Sequence, residues 1–260
     1  MPPKRKIAFV LASTDHGAMI VNRFDGVQSD AGPYGVGHEL MESGHFGAVE
    51  LTDIAKLLEA RRKSGGDGVV ALDIGANIGV YTLDMARLMT DWGSVLAFEP
   101  QERLFCALAG NIALNNAFNA KPVCAAVGAT TQTIHIPQPD YRRAGSFGSI
   151  SMRREDDRHE AGQPLDYDAG VPVMQITVDS LKLPRVDLIK IDVEGMELDV
   201  LTGAAETIAR CRPALFVEHQ HVGRTPLAER LDALGYTMFD NGRDFLAVHR
   251  DDRLRASVAG

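Results

Sequence analysis

The stretch from Val69 to Thr82, VVALDIGANIGVYT, constrains this chain more than any other. An apolar run ends in an acid, Asp73. A turn spaced by glycines follows (Gly75, Ala76, Asn77, Gly79), and a helical pattern begins behind it. One unit later a second apolar run, Val95 to Phe98, ends in Glu99 and Pro100. Strand, turn, helix and strand in this order predict a parallel α/β sheet. In open sheets of this kind ligands sit at the carboxyl ends of the strands, where a glycine turn lets the main chain approach them. An ordinary strand-to-helix turn would account for the glycines, but not for acids at two successive strand ends.

The order of residues separates two nucleotide cofactors. A dinucleotide site needs G-x-G-x-x-G at the first turn. Here Gly75 and Gly79 stand four apart, with Asn77 where a glycine would be required. An acid before the turn would repel a pyrophosphate, yet it suits the ammonium group of an amino acid. Glu99 suits a ribose diol, because a carboxylate accepts from both hydroxyls. The pattern D-x-G-A-N-x-G therefore points to S-adenosylmethionine rather than NAD.

The rest of the chain fits one large α/β domain with an extension. Residues 1–65 precede the motif and read as a small α/β extension able to cover a site, with strands at Ile7 to Leu11 and Ala18 to Val21 and a helix from Ala48 to Arg62. The main domain is expected over residues 66–250. Helix one is placed at Ile78 to Met89 with Asn77 as its N-cap, and strand three at Pro122 to Val127. Residues 138–172, rich in Gly, Ser, Pro and both charge signs, read as a long loop or lid. Asp187 to Ile191 is a central strand ending at Asp192, and a helix follows from Met196. Pro213 to Val217 ends at Glu218 and His219. Tyr236 to Phe239 and Phe245 to His249 form a closing hairpin. The expected architecture is a mostly parallel sheet with an antiparallel edge strand. Residues 251–260 read as a frayed tail.

At 260 residues and 45% hydrophobic content a packed core is within reach. A net charge of −8 argues against broad nucleic-acid binding. The basic clusters, such as Lys4-Arg5-Lys6 and Arg61-Arg62-Lys63, are short and suit solvated faces. Cys106, Cys124 and Cys211 lack metal or disulfide spacing, read as core residues, and suggest a reducing, cytoplasmic setting. No apolar run approaches the ~20 residues of a membrane span, and the patch Ile7 to Ala12 reads as a strand rather than a signal core.

Three blocks resemble the FkbM-type S-adenosylmethionine-dependent methyltransferases: Asp73 to Thr82, Phe98-Glu99-Pro100, and Asp187 to Glu197 with its I-K-I-D-V-E-G-M-E run. The resemblance covers roughly residues 67–220, and the segment Gly17 to Asp25 is similar to stretches preceding the domain in some members. It implies a class I methyltransferase (Rossmann-like) sheet. It implies that Asp73 and the backbone of Gly75, Ala76, Asn77 and Gly79 hold the methionine portion, with Tyr81 and Pro100 in the same pocket. Glu99 would hold the ribose, Ala125 and Ala126 would lie near the adenine, and Asp192 beside the methyl group. Members generally methylate oxygen on natural products, sugars or glycan components, so the implied partner is a small-molecule or glycosyl acceptor.

Methyl transfer from a sulfonium is an in-line displacement in which the protein positions the acceptor and excludes water. An alcohol acceptor must lose a proton, so a base within reach helps. Asp192, Glu194 and His219 are the catalytic candidates, set against capping, surface and structural roles. His16 lies in a loop able to cover the pocket. Lys190, a charge inside an apolar strand, calls for a neighbouring acid. Asp192 and Glu218 could hold Mg²⁺ against a diol, but the Asp-Asn pair of catechol-type enzymes is replaced by Glu218-His219, and no metal is expected. Tyr141, Arg142, Arg143, Arg153 and Arg154 could meet an anionic or sugar acceptor. The expected activity is O-methylation. N-methylation on the same fold and a non-catalytic cofactor-binding subunit are the alternatives, and a dehydrogenase is disfavoured by the missing glycines.

Overall fold

The computed structural model describes residues 6–29, 32–154 and 161–252. Lys4 and Arg5, part of the long loop and most of the tail expected at 251–260 lie outside the described residues.

The chain opens with a hairpin of β1 (Phe9–Thr14) and β2 (Gly17–Asn22), followed by the short pair β3 (Val27–Ser29) and β4 (Gly32–Tyr34). Helices α1 (Val36–Glu42) and α2 (Ala48–Gly65) come next. The α/β core then runs β5 (Val69–Ile74), α3 (Val80–Leu88), β6 (Gly93–Phe98), α4 (Glu102–Leu114) and β7 (Ala120–Val123). Strands β8 (Ala126–Val127), β9 (Gln132–Ile136) and β10 (Val171–Ile176) form a small sheet of their own. The core resumes with β11 (Leu188–Ile191), α5 (Glu197–Gly203), α6 (Ala205–Cys211), β12 (Ala214–Glu218) and α7 (Arg224–Ala233). A hairpin of β13 (Tyr236–Asn241) and β14 (Asp244–His249) closes it.

The seven core strands lie in the order β13-β14-β12-β11-β5-β6-β7. Strands β12, β11, β5, β6 and β7 are mutually parallel, while β14 runs antiparallel to both of its neighbours. The reversed strand is thus inserted next to the edge, and β13 is the outermost strand on that side. The mostly parallel class I sheet expected from the motif is present. From β5 the chain proceeds outward through β6 and β7, then returns to place β11 and β12 on the other flank. That reversal puts a crevice over the carboxyl ends of β5 and β11, where ligands bind in such sheets.

The central strands are apolar on both faces because helices cover both sides. Leu72, Ile74, Ile189, Ile191, Leu215 and Val217 pack with α5, α6 and α7 on one side. Val69, Ala71, Leu188 and Phe216 pack with Ile54, Leu57 and Leu58 of α2 on the other. The N-terminal hairpin is fastened to the core by Asn111 of α4, which is fully buried. Its side chain accepts from the Ile20 amide and donates to the carbonyls of Ile20 and Ile78.

Several local expectations change. Asn77 does not cap helix one: it sits at φ 50 inside the turn, and Gly79 at φ 94 takes the N-cap place of α3. Strand three ends at Val123, because the chain leaves the large sheet there and Ala126–Val127 pairs with β10 instead. The helix after Met196 breaks at Ala204. The cysteines are not core residues: Cys106 and Cys124 are exposed and Cys211 is half-buried. Among the described residues no helix is long and apolar enough to cross a membrane.

Candidate active site

A cavity opens over the carboxyl ends of the central strands. Its floor is the turn after β5. Gly75 adopts φ 83, and a side chain there would place Cβ 1.7 Å from the Asp192 carbonyl oxygen, so only glycine lets the turn lie against β11. The Gly75 and Ala76 amides donate to the Phe98 carbonyl, which ties the turn to β6.

Lys190 holds this floor from below. It lies opposite Asp73 in the β5–β11 register, and its side chain is 4% exposed. Its Nζ donates to the Gly75 carbonyl at 3.0 Å and to Asp192 at 3.2 Å, and stands 3.6 Å from Asp73 and 4.9 Å from the centre of the Tyr81 ring. Burial works against the ammonium, but Asp192 and Asp73 outweigh it and raise its pKa above the ordinary lysine range. The acid that Lys190 required is therefore a pair of acids.

Asp73 itself is fully buried, accepts a hydrogen bond from the Thr82 hydroxyl, and does not reach the cavity wall. It is tied to the turn through Lys190 and Thr82. Gly79, expected among the contacts, is likewise outside the wall, because it packs against Leu108 as the cap of α3. Gly75, Ala76, Asn77, Tyr81, Glu99, Pro100, Ala125, Ala126, Asp192 and Glu194 do line the cavity.

Glu99 is almost entirely buried at the end of β6. One oxygen accepts from the Asn77 amide at 3.0 Å and the other from the Gln101 amide at 2.8 Å. Burial raises its pKa to about 7, against the pull of those two amides. Beside it, Phe98, Ala125, Ala126, Val127, Ile150 and Met152 form an apolar slot. Asn77 Oδ1 is buried here without a hydrogen-bond partner.

The opposite end of the cavity is acidic. Asp192, Glu194 and Glu218 reach it from the ends of β11 and β12, with Arg243 from the β13–β14 turn. Glu194 adopts φ 54, an uncommon conformation for a residue other than glycine, and its carboxylate meets the His221 ring. Helix α5 begins only at Glu197, so Glu194 belongs to the turn and not to a helix face. Glu197 is buried and accepts from the amides of Val193 and Gly195, which holds that turn. Burial, and then the charges of Asp192, Glu194 and Glu197, raise the pKa of Glu218 far above the carboxylate range.

His219 does not join the site. Strand alternation turns it to the other side, where its Nε2 meets the Gly242 carbonyl and Arg224. The histidine beside the acidic end is His221, two residues on and past the strand, which meets Glu194 without lining the cavity. Only its nearness to two strand ends could have marked it in the sequence. His16 bonds Asp84 at 2.8 Å and accepts from the Phe46 amide, a structural role outside the wall.

Two distant segments roof the cavity. Tyr34, Gly35, Val36, Glu39 and Phe46 come from the N-terminal extension, and Ser146, Gly148, Ser149, Ile150 and Met152 from the long loop. Asp25 joins the two: its buried carboxylate accepts from the amides of Gly37 and Phe147, both at 2.9 Å. Burial raises its pKa to about 6. Residues 145–151 of the long loop are therefore packed wall, with Phe147 fully buried. The basic residues Arg142, Arg153 and Arg154 pair with Asp140, Asp199 and Asp168 and stay out of the cavity. Tyr141 bonds Gln101, and Arg143 is also absent from the wall.

Comparison with known proteins bears on this geometry. The profile described as "Methyltransferase FkbM domain" matches residues 73–251. "Methyltransferase 1" of Beauveria bassiana (strain ARSEF 2860) is 29% identical over 149 residues, covering 53% of this chain and 59% of that protein. "Methyltransferase sdnD" of Sordaria araneosa is 28% identical over 156 residues, covering 52% and 60%. The chain thus spans about three-fifths of the length of these curated relatives. Among solved structures, an FkbM methyltransferase from Methylobacillus flagellatus KT superposes with a TM-score of 0.47 at 18% identity, covering 70% of this chain and 43% of that one. The matched domain takes in nearly all of the seven-stranded sheet and more than half of the sequence, and the chain belongs to the FkbM methyltransferase family.

Proposed function

We propose that this protein is an S-adenosylmethionine-dependent O-methyltransferase acting on a small hydroxylated metabolite, natural product or glycosyl group. The observation that carries the reading is a single cavity in which a glycine turn, a buried strand-end acid and an apolar slot meet an acidic end under a roof. The residues fit the cofactor. Glu99 suits the ribose hydroxyls, the Phe98–Ala125–Ala126 slot suits an adenine, and the unpartnered Asn77 Oδ1 is an acceptor in want of a donor. The turn at Gly75–Asn77 and Asp192 would hold the amino-acid end.

When bound, the cofactor supplies an electrophilic methyl group on a sulfonium. The roof from the N-terminal extension and the loop at 146–152 excludes water and orients the acceptor. Asp192 is the proposed proton acceptor. Lys190 holds one of its oxygens, and the side chain is 36% exposed and lines the cavity. An acceptor hydroxyl within hydrogen-bond reach would pass its proton to Asp192 as the carbon–oxygen bond forms and the methyl–sulfur bond breaks, the neutral thioether leaving.

Calorimetric titration with S-adenosylhomocysteine and with NAD⁺ tests the cofactor. Transfer of a labelled methyl group across hydroxylated and amine acceptors tests the rest. Binding of the adenosyl ligand alone, with label found on oxygen, is expected. Binding of NAD⁺ in place of the adenosyl ligand, or label found only on nitrogen, would sink the corresponding half of the proposal.

A further inference from the structure

The acidic end of the cavity holds a donor set that the methyl-transfer reading does not use. Strands β11 and β12 are neighbours, with Ile191 opposite Val217, so the residues just beyond their ends converge. Glu194, Glu218 and His221 each offer one ligand atom there, and the three atoms lie within 4.8 Å of one another. The imidazole Nε2 of His221 meets Oε2 of Glu194, and their side chains are only 4% and 14% exposed. Glu218 adds the telling feature: its Oε2 is buried and accepts no hydrogen bond. An unpaired buried carboxylate oxygen is costly, and a cation among these three groups would satisfy it.

We propose that Glu194, Glu218 and His221 form a binding site for a divalent transition-metal ion at the acceptor end of the cavity. Two carboxylates and an imidazole suit Mn²⁺, Fe²⁺ or Zn²⁺ better than Mg²⁺, which takes oxygen ligands and keeps its waters. Three protein ligands leave coordination positions open. Because Glu194 and Glu218 line the cavity, those positions face the acceptor. The ion would polarise the acceptor hydroxyl and ease its deprotonation toward Asp192. That role rests on the methyltransferase reading; the binding itself does not.

The test uses the full chain stripped with a chelator and titrated with Mn²⁺ alone, followed by electron paramagnetic resonance. One Mn²⁺ per chain is expected. Glu218→Gln and His221→Ala should each weaken it ~10-fold or more, while His135→Ala, on exposed β9, should not. Thermal melts and S-adenosylhomocysteine titrations on the same samples report folding and the cofactor pocket separately, with the near-isosteric Glu218→Gln guarding against a folding loss. No Mn²⁺ binding at millimolar concentration, or equal affinity in all variants, overturns the metal site. Lost adenosyl binding with intact Mn²⁺ binding would overturn the cofactor reading instead.

Discussion

The two ends of the cavity are built in different ways. At the cofactor end, β5 and β6 are adjacent in sequence and in the sheet, and Glu99 is held by amides from Asn77 and Gln101. At the acidic end, Glu194 comes from the turn after β11, Glu218 from the last residue of β12 and Arg243 from the β13–β14 turn. There the carboxylates face one another with little main-chain support, and Glu218 keeps an unsatisfied oxygen. The cofactor end is preorganised by backbone donors. At the acidic end, burial and the neighbouring acids raise the Glu218 pKa instead.

Breaking the contrast starts with its largest lever. Lys190 is the cation beneath both ends, and Lys190→Met would leave buried Asp73 without its charge partner. Removing one member of such a cluster costs about 3–5 kcal/mol, so the melting temperature should fall by on the order of 10 °C. Adding Asp73→Asn should recover part of it. A melt unchanged by Lys190→Met would show that the floor does not depend on this ion cluster.

Gly75→Ala strikes the turn after β5 first. A left-handed residue with Cβ costs about 1–2 kcal/mol, and the Asp192 carbonyl lies in its way. S-adenosylhomocysteine affinity should drop by at least ~10-fold, measured by calorimetry, with Mn²⁺ binding less affected. Equal losses of both ligands would mean that the two ends are not separable.

Glu99→Gln sharpens the point. Hydrogen bonds to a charged group contribute about 1.5–3 kcal/mol, so adenosyl affinity should fall roughly 10–100-fold. In the unsubstituted protein that affinity should rise with pH up to about 7, as Glu99 ionises and accepts the ribose hydroxyls. The variant should show no such dependence. The sign for stability is opposite. The folded, ligand-free protein keeps a proton on Glu99 from its ordinary 4.5 up to about 7, so Glu99 makes folding less favourable as pH rises through that window. A ligand-free melt that climbs between those values in the unsubstituted protein but not in Glu99→Gln would contradict the assignment.

The smallest effect is expected from His219→Ala. It removes contacts with Gly242 and Arg224 outside the cavity, so a slight loss of melting temperature with unchanged adenosyl affinity is the expected result. A large loss of methyl transfer by this variant would return His219 to the site.

Much of the cavity wall around Gly75 and Glu99 was legible in the sequence, because its residues sit within one strand–turn–helix–strand unit whose spacing is dictated by local geometry. Asp73 shows the limit of such reading. Its position at a strand end was clear, but whether it faces the ligand or the core depends on Lys190 in a strand more than a hundred residues away. His219 shows another: at the very end of a strand, alternation decides the side, and the imidazole that meets Glu194 is His221 instead. The basic loop at 142–154 suggested an acceptor site, yet neighbouring aspartates take those arginines.

The sequence by itself determined the parallel sheet, the strand-end acids and the glycine turn, since each follows from side-chain period, backbone sterics and short-range order. Only the tertiary structure decided the rest of the cavity wall. In that wall Tyr34 and Glu39 from the N-terminal extension, Ile150 and Met152 from the long loop and Arg243 from the last hairpin converge. Their meeting depends on the reversal of the sheet at β5 and on the Asp25 latch. Such contacts are set by packing across long loops, and no local pattern encodes them.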